Sequence, residues 1–238
     1  MNPCAVIVAG GSGSRMQSDL PKQFLPLEGK PVLVHTVLRF LAFDPQLPIV
    51  LVLPQAHLTF WEQLAPRHLS SQQLNQVSLS PGGTTRSDSV QAGLELMAAQ
   101  VKVPEKCWVA IHDGVRPFVL PEMIQQAFDV AENKGASVAC VPVKFSLRQR
   151  MEGGKSQPVD RAHFFEVQTP QTFRLDQILE CYRLRPPGSF TDDASLYQLK
   201  GGQVSICEGS YDNIKLTTPE DLAIGHAILK RQALNEKN

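Results

Sequence analysis

Short β-branched runs alternate with helix-patterned segments along the first two thirds of the chain, and this alternation limits the fold more than any other feature. Cys4–Ala9, Ile49–Leu53, Gln76–Leu79, Trp108–Ile111 and Ser137–Val141 read as strands. Between them Leu33, Val37 and Leu41, then Val90, Leu94, Met97 and Val101, then Ile124, Ala127, Phe128 and Ala131 recur at the spacing of one helix face. Thr85-x-x-Asp88 and Thr218-Pro219-Glu220-Asp221 have the form of helix N-caps, and Gly201-Gly202 closes a helix that starts at Thr191. Strand–helix–strand units of this kind build a parallel sheet with helices on both faces. The expectation is a doubly wound, mostly parallel, Rossmann-like α/β sheet, with residues 1–238 forming one domain.

In such sheets ligands sit beyond the carboxyl ends of the strands, so the loops after Ala9, Leu79 and Ile111 are the first places to look. The first reads Gly10-Gly11-Ser12-Gly13-Ser14-Arg15-Met16, followed by Pro21-Lys22-Gln23. Glycines let backbone N–H groups approach an anion, and Arg15 and Lys22 supply the neutralising charge. The turn is not a P-loop, because no Gly-Lys-Ser/Thr follows the strand, and Met16 stands where the dinucleotide fingerprint needs its third glycine. The second loop, Pro81-Gly82-Gly83-Thr84-Thr85-Arg86-Ser87-Asp88-Ser89, either hydrogen-bonds a base or sugar or is only a turn into a capped helix. The third, His112-Asp113-Gly114-Val115-Arg116, places a carboxylate where it would suit Mg²⁺ or pair with Arg116 to fix the loop. His112 reads as a core histidine without chemistry. Near the end, Asp212-Asn213-Ile214-Lys215 offers a lysine on a short strand that points into the same crevice or lies on the surface.

The segment from Lys144 to Gln168 breaks the alternation. Two short extended runs flank Gly153-Gly154 and suggest a hairpin arm over about 144–166 that leaves the main sheet. A lone hairpin is marginal in water, so a second subunit is its expected support. The 23 basic residues balance the 23 acidic ones, which argues against a broad nucleic-acid-binding or membrane-attracting surface. The N-terminal apolar run lacks a basic flank, and Pro48–Pro54 is too short to span a bilayer. Five cysteines, an odd number without a Cys-x-x-Cys pair, point to a reducing cytoplasm.

Ala-Gly-Gly-x-Gly-x-Arg-Met with Pro-Lys-Gln, Gly-Gly-x-x-Arg-x-x-Ser-Val, His-Asp-x-x-Arg-Pro, Val-Asp-Arg, Gln-Thr-Pro-Gln and Asp-Asn-Ile-Lys occur in that order. From about Cys4 to the last helix the chain resembles the 2-C-methyl-D-erythritol 4-phosphate cytidylyltransferases of the non-mevalonate isoprenoid pathway. The resemblance implies a reaction of CTP with a sugar-alcohol phosphate, Mg²⁺ as cofactor, and a homodimer joined through the arm. It implies that Arg15 and Lys22 serve the triphosphate and the transition state, with Lys215 and Arg161 among the catalytic cations. Ala9, Gly10, Gly11, Gly13, Gly83, Arg86 and Ser89 would form the CTP site. Asp113, Arg116, Ser146, Arg161, Thr169 and Lys215 would face the sugar-alcohol phosphate, with Asp113 the candidate metal contact and Arg161 reaching the neighbouring subunit's site.

Three departures accompany the resemblance. Phe145-Ser146 stands where the family usually has Asp-Thr, and Gly114 and Val115 replace two alanines. A related group makes CDP-ribitol from ribitol 5-phosphate with nearly the same nucleotide motifs, so that acceptor is the alternative. A non-catalytic nucleotide-binding regulator is a further rival, and the retention of Arg15, Lys22 and Lys215 argues against it. A nucleotide-sugar glycosyltransferase would carry Asp-x-Asp after a strand, and none is present there.

Overall fold

The computed structural model describes residues 1–10, 20–186 and 190–235. β1 (Asn2–Val8) is an interior strand of the main sheet. Its side chains alternate between two apolar layers. Cys4, Val6 and Val8 pack with Val90, Leu94 and Met97, while Ala5, Ile7 and Ala9 pack with Leu33, Val37 and Phe40. Burial on both faces is why the strand reads as a continuous apolar run.

After the small pair β2 (Pro26–Leu27) and β3 (Lys30–Pro31), α1 (Val32–Phe43) carries the chain to β4 (Ile49–Leu53), parallel to β1. α2 (Leu58–Leu64) and α3 (Ser71–Leu74) lead on to β5 (Val77–Pro81), the outer neighbour of β4. α4 (Arg86–Gln100) then crosses the opposite layer and delivers β6 (Cys107–Asp113) to the other side of β1. The direction of winding therefore reverses at β1. The expected crevice lies beyond the carboxyl ends of β1 and β6, where Val8 and Asp113 lie opposite each other in register.

α5 (Pro121–Lys134) precedes β7 (Ala136–Pro142), and the antiparallel hairpin of β8 (Leu147–Arg150) and β9 (Ser156–Val159) stands apart as its own two-stranded sheet. β10 (Phe165–Arg174) returns between β6 and β7, antiparallel to both. α6 (Leu175–Arg183), α7 (Asp193–Leu199), the edge strand β11 (Ser205–Glu208) and α8 (Pro219–Asn235) complete the described residues. The main sheet has the order β11-β7-β10-β6-β1-β4-β5, and within it only the pairings of β10 are antiparallel. The doubly wound, mostly parallel sheet expected from the alternation is the one observed.

Several local readings differ. β10 was not expected, because Gln168-Thr169-Pro170-Gln171 has the look of a loop. The strand accommodates its proline by leaving the ladder there: the pairing with β7 jumps from Val167 opposite Cys140 to Gln171 opposite Val138. Pro170, which has no N–H to give, falls in the unpaired stretch, and its peptide bond with Thr169 is cis. β11 escaped notice because it is a four-residue edge strand with Ile206 half exposed, so no clean alternation marks it. Lys215 is not on a strand; it lies in an irregular segment held by the Leu216 N–H donating to Val115 O at 2.9 Å. The helix expected to start at Thr191 starts at Asp193, with Asp192 accepting the Ser195 N–H at 2.9 Å. Thr85 and Asp88 do form the expected capping box at the start of α4. The start of α8 is capped by Asp221, whose carboxylate accepts the N–H groups of Thr217 and Thr218 at 2.7 and 2.8 Å.

All five cysteines are buried and free. Among the described residues no helix is long and apolar enough to cross a membrane.

His112 anchors the end of β6 from inside the core. It is fully buried, and its ring meets the Phe40 ring edge-on at 5.0 Å. Its Nε2 lies 3.1 Å from Arg116 O and its Nδ1 lies 3.0 Å from Thr169 Oγ1. The neutral ring satisfies both, with Nε2–H donating to the carbonyl and Nδ1 accepting the hydroxyl. Burial pushes its pKa down from 6.5 to about 4. A base whose folded pKa is depressed stabilises the fold fully above its unfolded value, and that contribution fades as pH falls towards the folded value. Chemical denaturation should show the protein losing about 2 kcal/mol from this residue between pH 7.5 and pH 5. His112→Gln should flatten that part of the profile; an unchanged slope would show that His112 is not the buried neutral base.

Candidate active site

Each element that borders the crevice contributes a side chain for a local reason. After β5 the chain folds back on the start of α4. Gly83 donates its N–H to Ser89 Oγ at 3.1 Å, and Ser89 Oγ donates to Thr85 O at 3.0 Å. A Cβ on Gly83 would sit 2.3 Å from Asp88 Cβ, so only glycine lets the loop lie this close to the helix. Val8, Ala9, Gly10, Lys22, Gln23, Gly83, Thr84, Thr85, Arg86, Ser89, Asp113, Val115 and Lys215 line the resulting cavity of about 410 Å³. Gly114 packs beneath it, where a Cβ would come 2.8 Å from Ala9 Cβ and 2.9 Å from Leu33 Cδ1. Glycine at this position matches how closely β1 approaches here. Gly11, Gly13 and Arg15 lie outside the described residues.

A second cavity of about 300 Å³ lies alongside, lined by Arg86, Asp113, Arg116, Val167, Gln168, Thr169, Gln171, Thr191, Asp192 and Lys215. The two cavities share Arg86, Asp113 and Lys215. Two glutamines of β10 bring the distant loops to this place. Gln168 donates to Ser210 O at 2.8 Å and accepts from Asn213 Nδ2 at 3.2 Å, fixing the segment that carries Lys215. Gln171 accepts the Ala194 N–H and donates to Asp192 Oδ2, at 2.8 and 2.9 Å, fixing the start of α7. The Thr169 hydroxyl accepts the Asp113 N–H at 3.1 Å and gives its hydrogen to His112.

Asp113 is the electrostatic centre of the site. Its carboxylate is nearly buried and touches three cations: Lys215 Nζ at 3.0 Å, Arg86 Nε at 3.3 Å and Arg116 Nε at 3.4 Å. Burial alone would push its pKa up, but Arg86, Lys215 and Arg116 together outweigh that and hold the carboxyl well below the ordinary range. Arg116 is further tied by donating to Asn213 O at 2.8 Å. Arg86 spends both terminal nitrogens on the buried Asp193, each at 2.9 Å.

The site expectations divide accordingly. Ala9, Gly10, Lys22, Gly83 and Ser89 border the first cavity, Arg116 and Thr169 the second, and Arg86, Asp113 and Lys215 both. Ser146 and Arg161 border neither; both are exposed on the arm, where the Arg161 guanidinium donates to Lys144 O. Thr191, Asp192 and Gln171 line the second cavity without having been singled out as site residues. Gln171 was visible in the Gln-Thr-Pro-Gln motif, whereas Thr191-Asp192 looked like a helix start and nothing more. As a metal contact Asp113 fits poorly, because its two oxygens already face three cations and no group of three or more potential metal-ligating side chains occurs among the described residues. A divalent ion at this crevice would have to be held largely by ligand phosphates.

The known proteins this chain resembles point the same way. The family model described as 2-C-methyl-D-erythritol 4-phosphate cytidylyltransferase matches residues 3–231. A protein of that name from Bacteroides thetaiotaomicron is 44% identical over 230 residues, which is 96% of this chain and 100% of the relative. Another, from Porphyromonas gingivalis, is 45% identical over 226 residues, covering 94% and 96% of the two chains. Among solved structures, the 4-diphosphocytidyl-2C-methyl-D-erythritol synthase from Anaerococcus prevotii superposes with a TM-score of 0.80 at 25% identity, covering 96% of each chain. With its winding reversed at β1, its paired cavities around Asp113 and this match along nearly its whole length, the chain belongs to the 2-C-methyl-D-erythritol 4-phosphate cytidylyltransferase family.

Proposed function

We propose that the protein joins CTP to 2-C-methyl-D-erythritol 4-phosphate, giving 4-diphosphocytidyl-2-C-methyl-D-erythritol and pyrophosphate for isoprenoid precursor synthesis. The observation that carries this reading is the sharing of Arg86, Asp113 and Lys215 by two adjacent cavities, one glycine-lined and one polar. Two substrates that must meet at one phosphorus atom need this arrangement. CTP occupies the first cavity, with its pyrimidine and ribose against Ala9, Gly10, Gly83 and Ser89. The sugar-alcohol phosphate occupies the second, against Arg116, Thr169 and Lys215. A phosphate oxygen of the acceptor attacks the α-phosphorus of CTP, the new P–O bond forms as the bond to pyrophosphate breaks, and pyrophosphate leaves with the electron pair. Negative charge accumulates on the five-coordinate centre, so fixed cations and alignment supply most of the rate. In our reading Lys22 and Arg15 serve that charge from the CTP side and Lys215 from the acceptor side. A divalent ion such as Mg²⁺, when bound with the triphosphate, would lower the repulsion between it and the incoming phosphate.

The arm completes the reading. It presents Phe145, which is 78% exposed, and half-exposed Met151 on a hairpin too small to be stable alone, with half-exposed Phe164 and Phe165 where the chain returns to the main sheet. We place these residues in a homodimer in which Arg161 and Ser146 extend to the partner's acceptor cavity. The free, buried cysteines support a reducing cytoplasm as the working compartment.

Purified protein with CTP and Mg²⁺ should release pyrophosphate with methylerythritol phosphate and not with ribitol 5-phosphate; release with ribitol 5-phosphate alone would overturn the acceptor. In the same assay Lys22→Ala should lower kcat by about 100-fold or more with a much smaller change in CTP affinity. Equal losses in both would reduce Lys22 to a binding group. Arg161→Ala and Lys215→Ala dimers, each inactive, should regain part of the activity after subunit exchange. Failure to do so with exchange verified would put both residues in one subunit's site.

A further inference from the structure

The mechanism above makes no use of Asp193, although it is a fully buried carboxylate at the start of α7. Its oxygens accept both terminal nitrogens of Arg86, at 2.9 Å each, and the hydroxyl of Tyr182, itself buried in the core. Burial alone would work against the charge on Arg86, but the two carboxylates it touches, Asp193 foremost, hold it firmly protonated. The third guanidinium nitrogen, Nε, reaches Asp113 Oδ1 at 3.3 Å. A line of contacts therefore runs from the core to the boundary of the two cavities: Tyr182, Asp193, Arg86, Asp113, Lys215.

The geometry of Arg86 is what makes the line informative. A guanidinium beside a carboxylate favours the forked, two-bond arrangement. Here the fork belongs to Asp193, and Asp113 receives only the single Nε bond. Asp113, which borders both cavities, thus keeps Oδ2 for Lys215 and Arg116 and leaves acceptor capacity on Oδ1. Without the Asp193 charge the fork is released and can turn onto Asp113, saturating it and displacing Lys215. The charged side chains here also set the local charge: Arg86, Arg116 and Lys215 face the two carboxylates Asp113 and Asp193, and loss of Asp193 leaves the three cations facing one.

We propose that Asp193 is a positioning residue for the acceptor: by occupying the fork of Arg86 it keeps the Asp113 carboxylate and Lys215 in the arrangement that receives the sugar-alcohol phosphate. This inference rests on the acceptor occupying the cavity that Asp113 and Lys215 border. Asp193 acts through Arg86 and touches neither substrate.

Steady-state kinetics of Asp193→Asn, with each substrate varied in turn, tests it. The Asn keeps the volume of the side chain and a partner for Tyr182. The expected result is a rise of about tenfold or more in KM for methylerythritol phosphate, with KM for CTP within about twofold of wild type. Tyr182→Phe removes the other contact of Asp193 and leaves its pair with Arg86, so it should lower the melting temperature and leave both KM values within about twofold. If Asp193→Asn does not fold, Asp193→Glu replaces it, because the longer carboxylate retains the charge but displaces the fork of Arg86, and the same KM split is expected. Unchanged KM values in the Asn or Glu variant, equal rises in both, or a fall in kcat that only follows the loss of stability would overturn the proposal. Wild-type protein that binds CTP yet is inactive with methylerythritol phosphate would remove the functional reading beneath it, whereas active wild type without the KM split removes this inference alone.

Discussion

Taking the Asp113 carboxylate out of water at the end of a core strand would cost several kcal/mol if it stood alone. It does not: Lys215, Arg86 and Arg116 surround it, each brought from a different part of the chain. Arg86 begins α4, Arg116 follows β6 by three residues, and Lys215 comes from the irregular segment before α8. Closing these contacts requires that the loops beyond β5, β6 and β11 lie together. The ion cluster is therefore both the consequence of the fold and the feature that orders its functional edge. Removing any one partner would leave charge uncompensated in a nearly dry place, which is why the cluster behaves as a unit and not as a sum of pairs.

Topology supplies the place and β10 supplies the fastening. Reversal of the winding at β1 sets the site beyond the carboxyl ends of β1 and β6, as expected for a doubly wound sheet. The inserted antiparallel strand then uses Gln168, inside its unpaired stretch, and Gln171, just after it, to hold the loops that carry Lys215 and Thr191-Asp192-Asp193. A bulged strand next to a functional site re-aims side chains that a regular strand would bury in the ladder. Thr169, between the two glutamines, shares its hydroxyl between the Asp113 backbone and His112, so the core histidine and the ion cluster are joined through one oxygen.

The parallel part of the sheet was legible because its strands are buried on both faces and its helices show a clean period of three or four. The glycine turns were legible for a similar reason: Gly83 sits where any side chain would collide with Asp88. β10 and β11 were not, since one contains a proline inside a polar motif and the other is a four-residue edge strand. Asp113 stood out in the sequence as a carboxylate at a strand end, Lys22 as a cation near the glycine-rich turn, and Lys215 as a lysine just ahead of a capped helix. Asp193 did not, because an acidic residue at the start of a helix is expected on grounds of capping and helix dipole alone. Only the three-dimensional contact with Arg86, 107 residues away, distinguishes it from a helix-capping residue.

The central claim is that two substrates meet across the residues shared by the paired cavities. The most direct test is a crystal structure with the product, 4-diphosphocytidyl-2-C-methyl-D-erythritol, which contains both halves in one molecule. The account predicts the cytosine against Gly83 and Ser89, the diphosphate at the Asp113–Lys215 boundary and the methylerythritol chain towards Thr169 and Thr191. A product whose cytosine lies outside the glycine-lined cavity, or whose diphosphate is remote from Lys215, would contradict it.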